Sequence, residues 1–585
     1  MAVSTAAATE QRAGGPRRPR LGSVIDHPVR TTAIVGLALA VVQAWWLATH
    51  RNPGGFGVDE SNYLTMVFRF RQSLLDGGPV DLIDRVLSYP QHGPLVPLMS
   101  VPFTLIGGAS TTAALLVQPL LYLLVAVAMA ALVSRLSTPT AALVAGLASL
   151  GIPVMILDAR AYQFVLGSSL FLICSVLALV SSERGERRSQ MVWFGLAVGC
   201  LLLSRTMVIA FLPGLAVAWW IVSTRSRRAI TNLALAVAVA GAVALPWWIA
   251  QRDTVGRYLF SFGYGQGATQ IESVPLPLRL PVRMGFAMTE LRLPLAVPTV
   301  IVVVAAVVAA VRWKRSGRTL RTWPVASRSL AATAAVVGVG LLALLSSSNM
   351  GTGFQVPLEL VGLAVVAAIG GRLGGSPVKV AAVIALAAAT VNVVAISWFR
   401  PFADVGNGSA TMSIAAFGGT EEQQHQDFSI DEPRFASDAS WRDRAAAEAD
   451  WLRANQSIVD AVRQVEPPDE PAVITMIGEN RLVNSSTLDL VNQLDGDPDR
   501  VVESPATPEA QMNGRVNLDP RTYSGAPRVL VAVLPRASGT GERFTADEFL
   551  PEAARLGWVE RRRIELPSGN AALVLTHPDS TPGGT

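Results

Sequence analysis

The chain has 585 residues, of which 51% are hydrophobic and 16% charged, with a formal net charge of +5. Soluble globular domains carry about 25% charged residues, so a wholly water-soluble protein is excluded. Nucleic-acid binding is excluded as well, because the Arg and Lys residues gather in short loops between apolar runs, the footprint of membrane orientation. The two cysteines, Cys174 and Cys200, fall inside apolar runs, which leaves no disulfide framework or zinc pattern.

Residues 1–30 form a basic N-terminus with Arg12, Arg17, Arg18, Arg20 and Arg30. The run from Thr31 to Ala48 is too long for the apolar stretch of a cleaved signal peptide and suits a retained first span. Further spans are expected at 111–134, 138–157, 162–181, 229–249, 293–311, 328–348, 356–371 and 378–398. Backbone polar groups in lipid must be satisfied internally, so these are helices.

Two regions are settled by charge. Pro94 to Ile106 is short and holds Pro94, Pro97 and Pro102, so it reads as a helix on the outer membrane surface. Met191 to Val222 lies between two basic loops and must cross an even number of times. Two short helices meeting near Ser204-Arg205 satisfy that. The functional reading of an arginine near membrane depth is the default; the alternative is snorkelling to the headgroups. The basic segments are the N-terminus, Arg135, Arg184/Arg187/Arg188, Arg225/Arg227/Arg228, Arg312/Lys314/Arg315/Arg318/Arg321 and Arg372/Lys379. Placed on one side, they give an α-helical polytopic protein of about eleven spans. The membrane region is 31–399, with outside loops at 50–110 and 250–292, a cytoplasmic N-terminus and residues 400–585 outside as a soluble α/β domain.

In that domain the pattern predicts helices over 440–465 and 545–556, the second capped by Thr545. Strands are predicted over 472–477, 528–534, 558–566 and 571–576. It shows no nucleotide-binding glycine loop, metal spacing or catalytic triad, and its expected job is acceptor binding or scaffolding.

The first outside loop carries Gly57-Val58-Asp59-Glu60-Ser61-Asn62-Tyr63. Leu64, Val67, Phe68, Leu74 and Leu75 follow near helical spacing, with Arg69, Arg71 and Gln72 among them, and predict an amphipathic helix along the membrane surface. Asp59 and Glu60 fit helix capping, and a cap also holds a carboxylate rigidly, as a general base requires. Later comes Ser88-Tyr89-Pro90-Gln91-His92-Gly93-Pro94-Leu95, leading into the surface helix. Leu203-Ser204-Arg205 and Leu245-Pro246-Trp247-Trp248-Ile249 follow, then Tyr258, Tyr264 and Gly265.

In this order the residues resemble the GT-C superfamily of membrane glycosyltransferases. The nearest branch, family 39-like, holds the protein O-mannosyltransferases and the lipid A aminoarabinose transferase. That branch has an acidic pair in the first outside loop and a His-Pro-Pro-Leu-like entry into a surface helix; this chain has Gly93 in place of one proline. Leu203-Ser204-Arg205 stands where the family often has Leu-Thr-Lys. The resemblance covers most of residues 31–310 and fades beyond. The richness in Ala, Val, Arg and Gly suits a high-GC bacterium of actinobacterial type and a plasma membrane.

The resemblance implies an inverting enzyme that takes a sugar from a polyprenyl-phosphate donor. Its acceptor, a glycan, glycolipid or protein hydroxyl, would lie on the outer side, as in cell-envelope biogenesis. It gives Asp59 the role of base, with Glu60 orienting it or the sugar. A departing lipid phosphate needs cations; Arg205 is the first choice, then Arg257 with Tyr258, and Arg160. Tyr63, His92, Asp158 and Tyr264 are candidate substrate contacts. Helix-end charge is the stronger reading for Asp158, and a structural role for His92. Some relatives use a divalent metal and others none; these residues support no metal assignment. The competing reading is a transporter or flippase for a lipid-linked glycan, which favours internal repeats and interrupted spans in matching halves; no such repeat is present. A non-enzymatic envelope anchor leaves the acidic loop without a purpose.

Overall fold

The computed structural model describes residues 27–51, 58–89, 92–264, 275–291, 293–316, 327–347, 353–394, 441–465, 472–477, 483–495, 501–503, 529–534, 546–567 and 571–578. Among the described residues, seven helices are long and apolar enough to cross a membrane. They are α1 (Pro28–Trp46, continued by a π turn to Arg51), α5 (Val117–Leu136, entered through α4, Thr111–Leu115), α11 (Arg227–Ala250), α14 (Leu293–Arg315), α15 (Arg328–Ser346), α16 (Val356–Leu373) and α17 (Ser376–Val394). Where four further crossings were expected the structure has shorter apolar helices: α6 (Pro139–Ser149), α8 (Val165–Val180), α9 (Arg188–Ser204) and α10 (Leu212–Val222).

The short helices have visible causes. Thr138 caps α6 by accepting the Ala141 N–H, and Pro139 opens it. The run expected to continue to 157 breaks because Pro153 opens a new helix, α7 (Pro153–Asp158). At the break, a Cβ on Gly151 would overlap the backbone of Ala389. The amide of Asn392 donates to the Gly151 carbonyl at 3.0 Å, satisfying a group that the broken helix leaves over.

α5 is the central post, packed by α1, α6, α8 and α16. Its tyrosine hydroxyl, Tyr122, donates to the Leu150 carbonyl at 2.5 Å, and its far end accepts the Arg372 Nε–H at Leu136 O, 2.7 Å. The outer helices turn large apolar side chains outward: Ile34, Leu37 and Val41 on α1, Ile230, Val237 and Leu245 on α11, Val300, Val304 and Val307 on α14. Outward apolar side chains along helices of span length mark a surface that faces lipid. The protein is a polytopic helical membrane protein.

The loop after α1 folds as α2 (Val58–Ser88), kinked at Gly78 (φ 77°) ahead of Pro79. α3 (Leu95–Gly107) follows; at 13 residues it is too short to span. One expectation is corrected: Leu64, Val67 and Phe68 do not face lipid but are buried in the main core. The exposed apolar residues of α2 lie later, at Leu75, Val80 and Ile83. Helical spacing marks a buried face without saying whether protein or lipid buries it.

Beyond α11 come α12 (Arg252–Tyr264) and α13 (Leu276–Leu291). α13 is amphipathic in an inverted sense: Leu276, Leu278 and Met284 point outward, while Arg279 and Arg283 point inward. Arg279 donates to the carbonyls of Leu345 and Ser346 at 3.0 and 3.1 Å, where the helix dipole of α15 favours a cation.

At the C-terminus, α18 (Trp441–Val465), β1 (Ala472–Ile477), α19 (Ser485–Leu494), β2 (Val501–Glu503), β3 (Val529–Leu534), α20 (Ala546–Arg555), β4 (Val559–Glu565) and β5 (Ala571–Thr576) build a sheet domain. The sheet order is β2-β1-β3-β5-β4, with β2, β1 and β3 parallel and β5 and β4 antiparallel. β3 is buried along its whole length between α18 on one face and α20 on the other. The predicted helices and strands stand within a residue or two of these; α19 and β2 were not anticipated, and Thr545 lies outside the described residues.

α19 lies against α2, and Arg69 Nη2 donates to both oxygens of Asp489, at 3.0 and 2.8 Å. Both side chains stay about a third exposed, so the pair sets register more than it stabilises. Asp489→Asn is expected to cost about 1 kcal/mol or less. It should also remove the salt sensitivity of limited proteolysis in the C-terminal domain. Equal salt responses in wild type and variant would show that this pair does not hold α19 on α2.

Candidate active site

The site is built where α2 begins and α9 ends. Asp59 and Glu60 occupy the first turn of α2, where the helix dipole favours carboxylates. The structure separates the two. Glu60 is buried, and its Oε1 accepts the Tyr162 N–H at 2.8 Å, tying α2 to the turn between α7 and α8. Asp59 keeps an exposed side chain, yet the surrounding chain crowds it. Burial raises its pKa above the ordinary carboxylate value; the Arg205 charge opposes that rise, and Glu60 adds to it.

One turn on, Tyr63 stacks on Phe164 with centroids 4.0 Å apart and takes the His92 ring edge-on at 5.1 Å. His92 in turn meets Tyr258 of α12 at 5.9 Å. Burial, then the Arg205 charge, pushes His92 down to about 4, so the imidazole is neutral at ordinary pH. Burial also raises the phenols of Tyr63 and Tyr258, and both feel Asp59 and Arg205. Asp59, Tyr63, His92, Arg205 and Tyr258 therefore share one electrostatic neighbourhood.

Arg205 sits at the expected helix break. α9 stops at Ser204, Arg205 is extended (φ −163°, ψ 140°), and a 3-10 turn over Thr206–Phe211 leads into α10. Its guanidinium lies 4.1 Å over the Phe354 ring, in a cleft lined by Ser168, Met207, Phe211, Leu344 and Phe354. The broken end of α9 is supported from outside: Trp248 Nε1 donates to Leu202 O at 3.2 Å. Its neighbour Trp247 donates to Tyr89 O at 3.1 Å, and Gln251 donates to Leu87 O at 2.5 Å, so the end of α11 clamps both α2 and α9.

The packing at Gly93 shows why a glycine stands there. A Cβ there would overlap the Leu203 carbonyl oxygen and come within 2.7 Å of the Ser204 carbonyl carbon. The segment entering α3 thus presses directly on the backbone that aims Arg205. Gly93→Ala is expected to destabilise the protein by about 1–3 kcal/mol. Thermal unfolding checks this, and an unchanged variant would show that the contact yields freely.

The remaining expected site residues are placed as follows. Arg160 is buried, donates from Nε to Gln43 Oε1 at 2.7 Å and stacks 4.3 Å over Trp46, so it faces the first helix. Burial pulls its pKa down to about 9. Asp158 is buried at the end of α7 on the same turn. Arg257 is exposed and bonds back to its own helix at Asp253 O, 3.3 Å. Tyr264 ends α12, and its side chain lies outside the described residues. Among the described residues, no three His, Cys, Asp or Glu side chains converge on a possible metal position. Phe164 and Phe354 were not anticipated; a single aromatic in an apolar stretch carries no local mark of a site.

No protein-family model and no curated protein sequence matches the chain. Its fold matches the crystal structure of ArnT from Cupriavidus metallidurans bound to undecaprenyl phosphate. The TM-score is 0.54 at 15% identity, over 94% of this chain and 99% of that one. The apo form of the same ArnT matches with TM-score 0.53 at 16% identity, again over 94% and 99%. The chain thus shares the fold of these ArnT structures, mostly helical with a C-terminal sheet domain.

Proposed function

We propose that this protein is a membrane glycosyltransferase that moves a sugar from a polyprenyl-phosphate donor to an acceptor hydroxyl at the extracytoplasmic face. The observation that carries the reading is an exposed carboxylate, Asp59, in the field of Arg205, which stands at a helix break in a cleft of mostly apolar side chains. The architectural neighbour, ArnT, was crystallised with undecaprenyl phosphate.

In this reading the acceptor oxygen attacks the anomeric carbon as the bond to the phosphate oxygen breaks, and Asp59 takes the acceptor proton. The departing lipid phosphate gains charge beside Arg205. One displacement inverts the anomeric centre. Tyr63, neutral His92 and Tyr258 form the wall against which the sugar packs, and Glu60 holds the α2 start in place through Tyr162. Residues 31–399 form the catalytic membrane region and 400–585 an extracytoplasmic domain, with the N-terminus cytoplasmic by the charge rule. The acceptor is a glycan, a glycolipid or a protein of the cell envelope.

The test is reconstitution of the full chain in proteoliposomes with a panel of radiolabelled undecaprenyl-phosphate monosaccharides and an envelope extract as acceptor. Label should leave the lipid fraction with at least one donor and release undecaprenyl phosphate. Label that stays on intact lipid and merely changes leaflet would favour a flippase and sink the enzymatic reading.

A further inference from the structure

The end of α9 and α11 opposite the candidate site holds a feature that the transfer reaction does not use. α9 opens at Arg188 and α11 at Arg227, with Arg187 and Ser226 as their caps. The preceding loops are joined: Thr224 N–H donates to Arg184 O at 3.1 Å, and Asn232 Nδ2 donates to Gly185 O and Glu186 O at 3.0 and 2.9 Å. Glu186 accepts from the hydroxyls of Thr224 and Ser226 at 2.9 and 3.2 Å. This brings exposed Arg184, Arg187, Arg188, Arg225, Arg227 and Arg228 onto one surface.

Three points make this more than a scatter of orienting charges. The macrodipole is positive at a helix N-terminus, so it disfavours cations there. These arginines flank two such ends, and the acids within the two loops are Glu183 and Glu186. The charge is uncompensated: Glu183 reaches Arg187 at 3.5 Å, and among the described residues no ion pair involves Arg184, Arg188, Arg227 or Arg228. Thirdly, the surface sits at an apolar boundary. Trp193, Trp220 and Ile230 are exposed within two to five residues of the arginines, and the Arg225 guanidinium lies 3.9 Å over the Trp220 ring. Exposed tryptophans mark the headgroup level of a bilayer. The loop backbone is fixed in an unusual shape as well: Glu183, Arg184 and Arg225 are the non-glycine residues with positive φ among those described, at 50°, 66° and 58°.

We infer that the loops over 183–188 and 223–228 form one binding site for the phosphate headgroups of anionic lipids, in the leaflet opposite the candidate active site. Charge complementarity and the flanking tryptophans select the occupant. Basic clusters between spanning helices at the membrane surface bind anionic headgroups at about 1 kcal/mol, or about fivefold in affinity, per arginine. α9 links the two ends of the molecule: over its 17 residues it spans about 25 Å from the basic loops to Arg205.

The full chain is purified in detergent, and its unfolding temperature and retained lipid (by native mass spectrometry) are followed during titration with phosphatidylglycerol, phosphatidylcholine or inorganic phosphate. Phosphatidylglycerol is expected to raise the unfolding temperature saturably and to stay bound, the other two having little effect. Arg184→Gln/Arg225→Gln/Arg228→Gln should lose that response. Arg312→Gln/Lys314→Gln/Arg315→Gln, with the same charge loss at the C-terminal end of α14, should keep it. Equal losses in both variants would reduce the effect to net charge and overturn the site. So would stabilisation by phosphatidylcholine, and an equal response to inorganic phosphate would overturn the lipid as occupant. Should the triple variant fail to accumulate, Arg184→Gln and Arg228→Gln singly are each expected to weaken phosphatidylglycerol binding about fivefold; unchanged affinity in both is equally fatal. None of these readouts depends on sugar transfer.

Discussion

Asp59→Asn is expected to lower kcat by about 10²- to 10⁴-fold, the range of a positioned general base, while the donor binds as well as before or better. Asparagine keeps the shape of the side chain and cannot take the acceptor proton. It also removes a negative charge from the neighbourhood in which Arg205 would hold a phosphate. The two carboxylates of the pair should part company in this assay. Glu60→Gln retains an oxygen for the Tyr162 N–H and is expected to keep most activity. Glu60→Ala leaves that buried donor without its partner, at a cost of about 1–3 kcal/mol in stability. If Glu60→Gln is as inactive as Asp59→Asn, the assignment of base between them is wrong.

The pH dependence follows with a definite sign. The Asp59 pKa is raised in the folded protein, chiefly by burial. A base works in its ionised form, so activity should fall as pH drops through that raised value, above the ordinary carboxylate range near about 3.9. For stability the sign is opposite to that of a salt-bridged carboxylate. A raised folded-state pKa means that ionisation above the unfolded value disfavours the fold. Asp59→Asn should therefore be neutral or mildly stabilising at pH 7. Lost activity with undiminished stability separates a chemical role from a structural one.

How much of this was legible in sequence depended on whether the cause was local. The long apolar helices follow from hydropathy, whereas the single span expected at 138–157 is broken at Pro153. The break at Ser204-Arg205 followed from charge arithmetic, because an apolar stretch between two basic loops has to turn back. The acidic pair was visible, but not the division of labour within it: Glu60 meets an N–H 102 positions away, and no local pattern encodes that. Arg160 had the right charge in the right loop and was nonetheless claimed by Gln43 and Trp46 of the first helix. The amphipathic reading of α2 had the correct period but the wrong partner, since protein covers Leu64 and Val67. The Arg69–Asp489 pair joins residues 420 apart, a distance at which a lone Arg and a lone Asp look like any others. Gly93 looked like a lapse from a motif until the backbone of Leu203 and Ser204 was found pressed against it.

The other large effect is expected at Arg205. Arg205→Met should raise the KM for the donor and cut kcat, by about 10²- to 10³-fold, the loss typical of removing one group that stabilises developing negative charge. Methionine keeps an unbranched apolar stem and loses the guanidinium that lies over Phe354, while the break between α9 and α10 is expected to persist. Two secondary readouts distinguish this from simple damage. Arg205 opposes the rise in the Asp59 pKa, so its removal should push the acid limb of the pH profile to higher pH. Arg205→Lys restores the charge but not the forked, stackable guanidinium, so it should recover the position of that limb more fully than the rate. An Arg205→Met enzyme with normal donor affinity would move the phosphate elsewhere in the site. One with lost rate but an unmoved acid limb would separate Arg205 from Asp59.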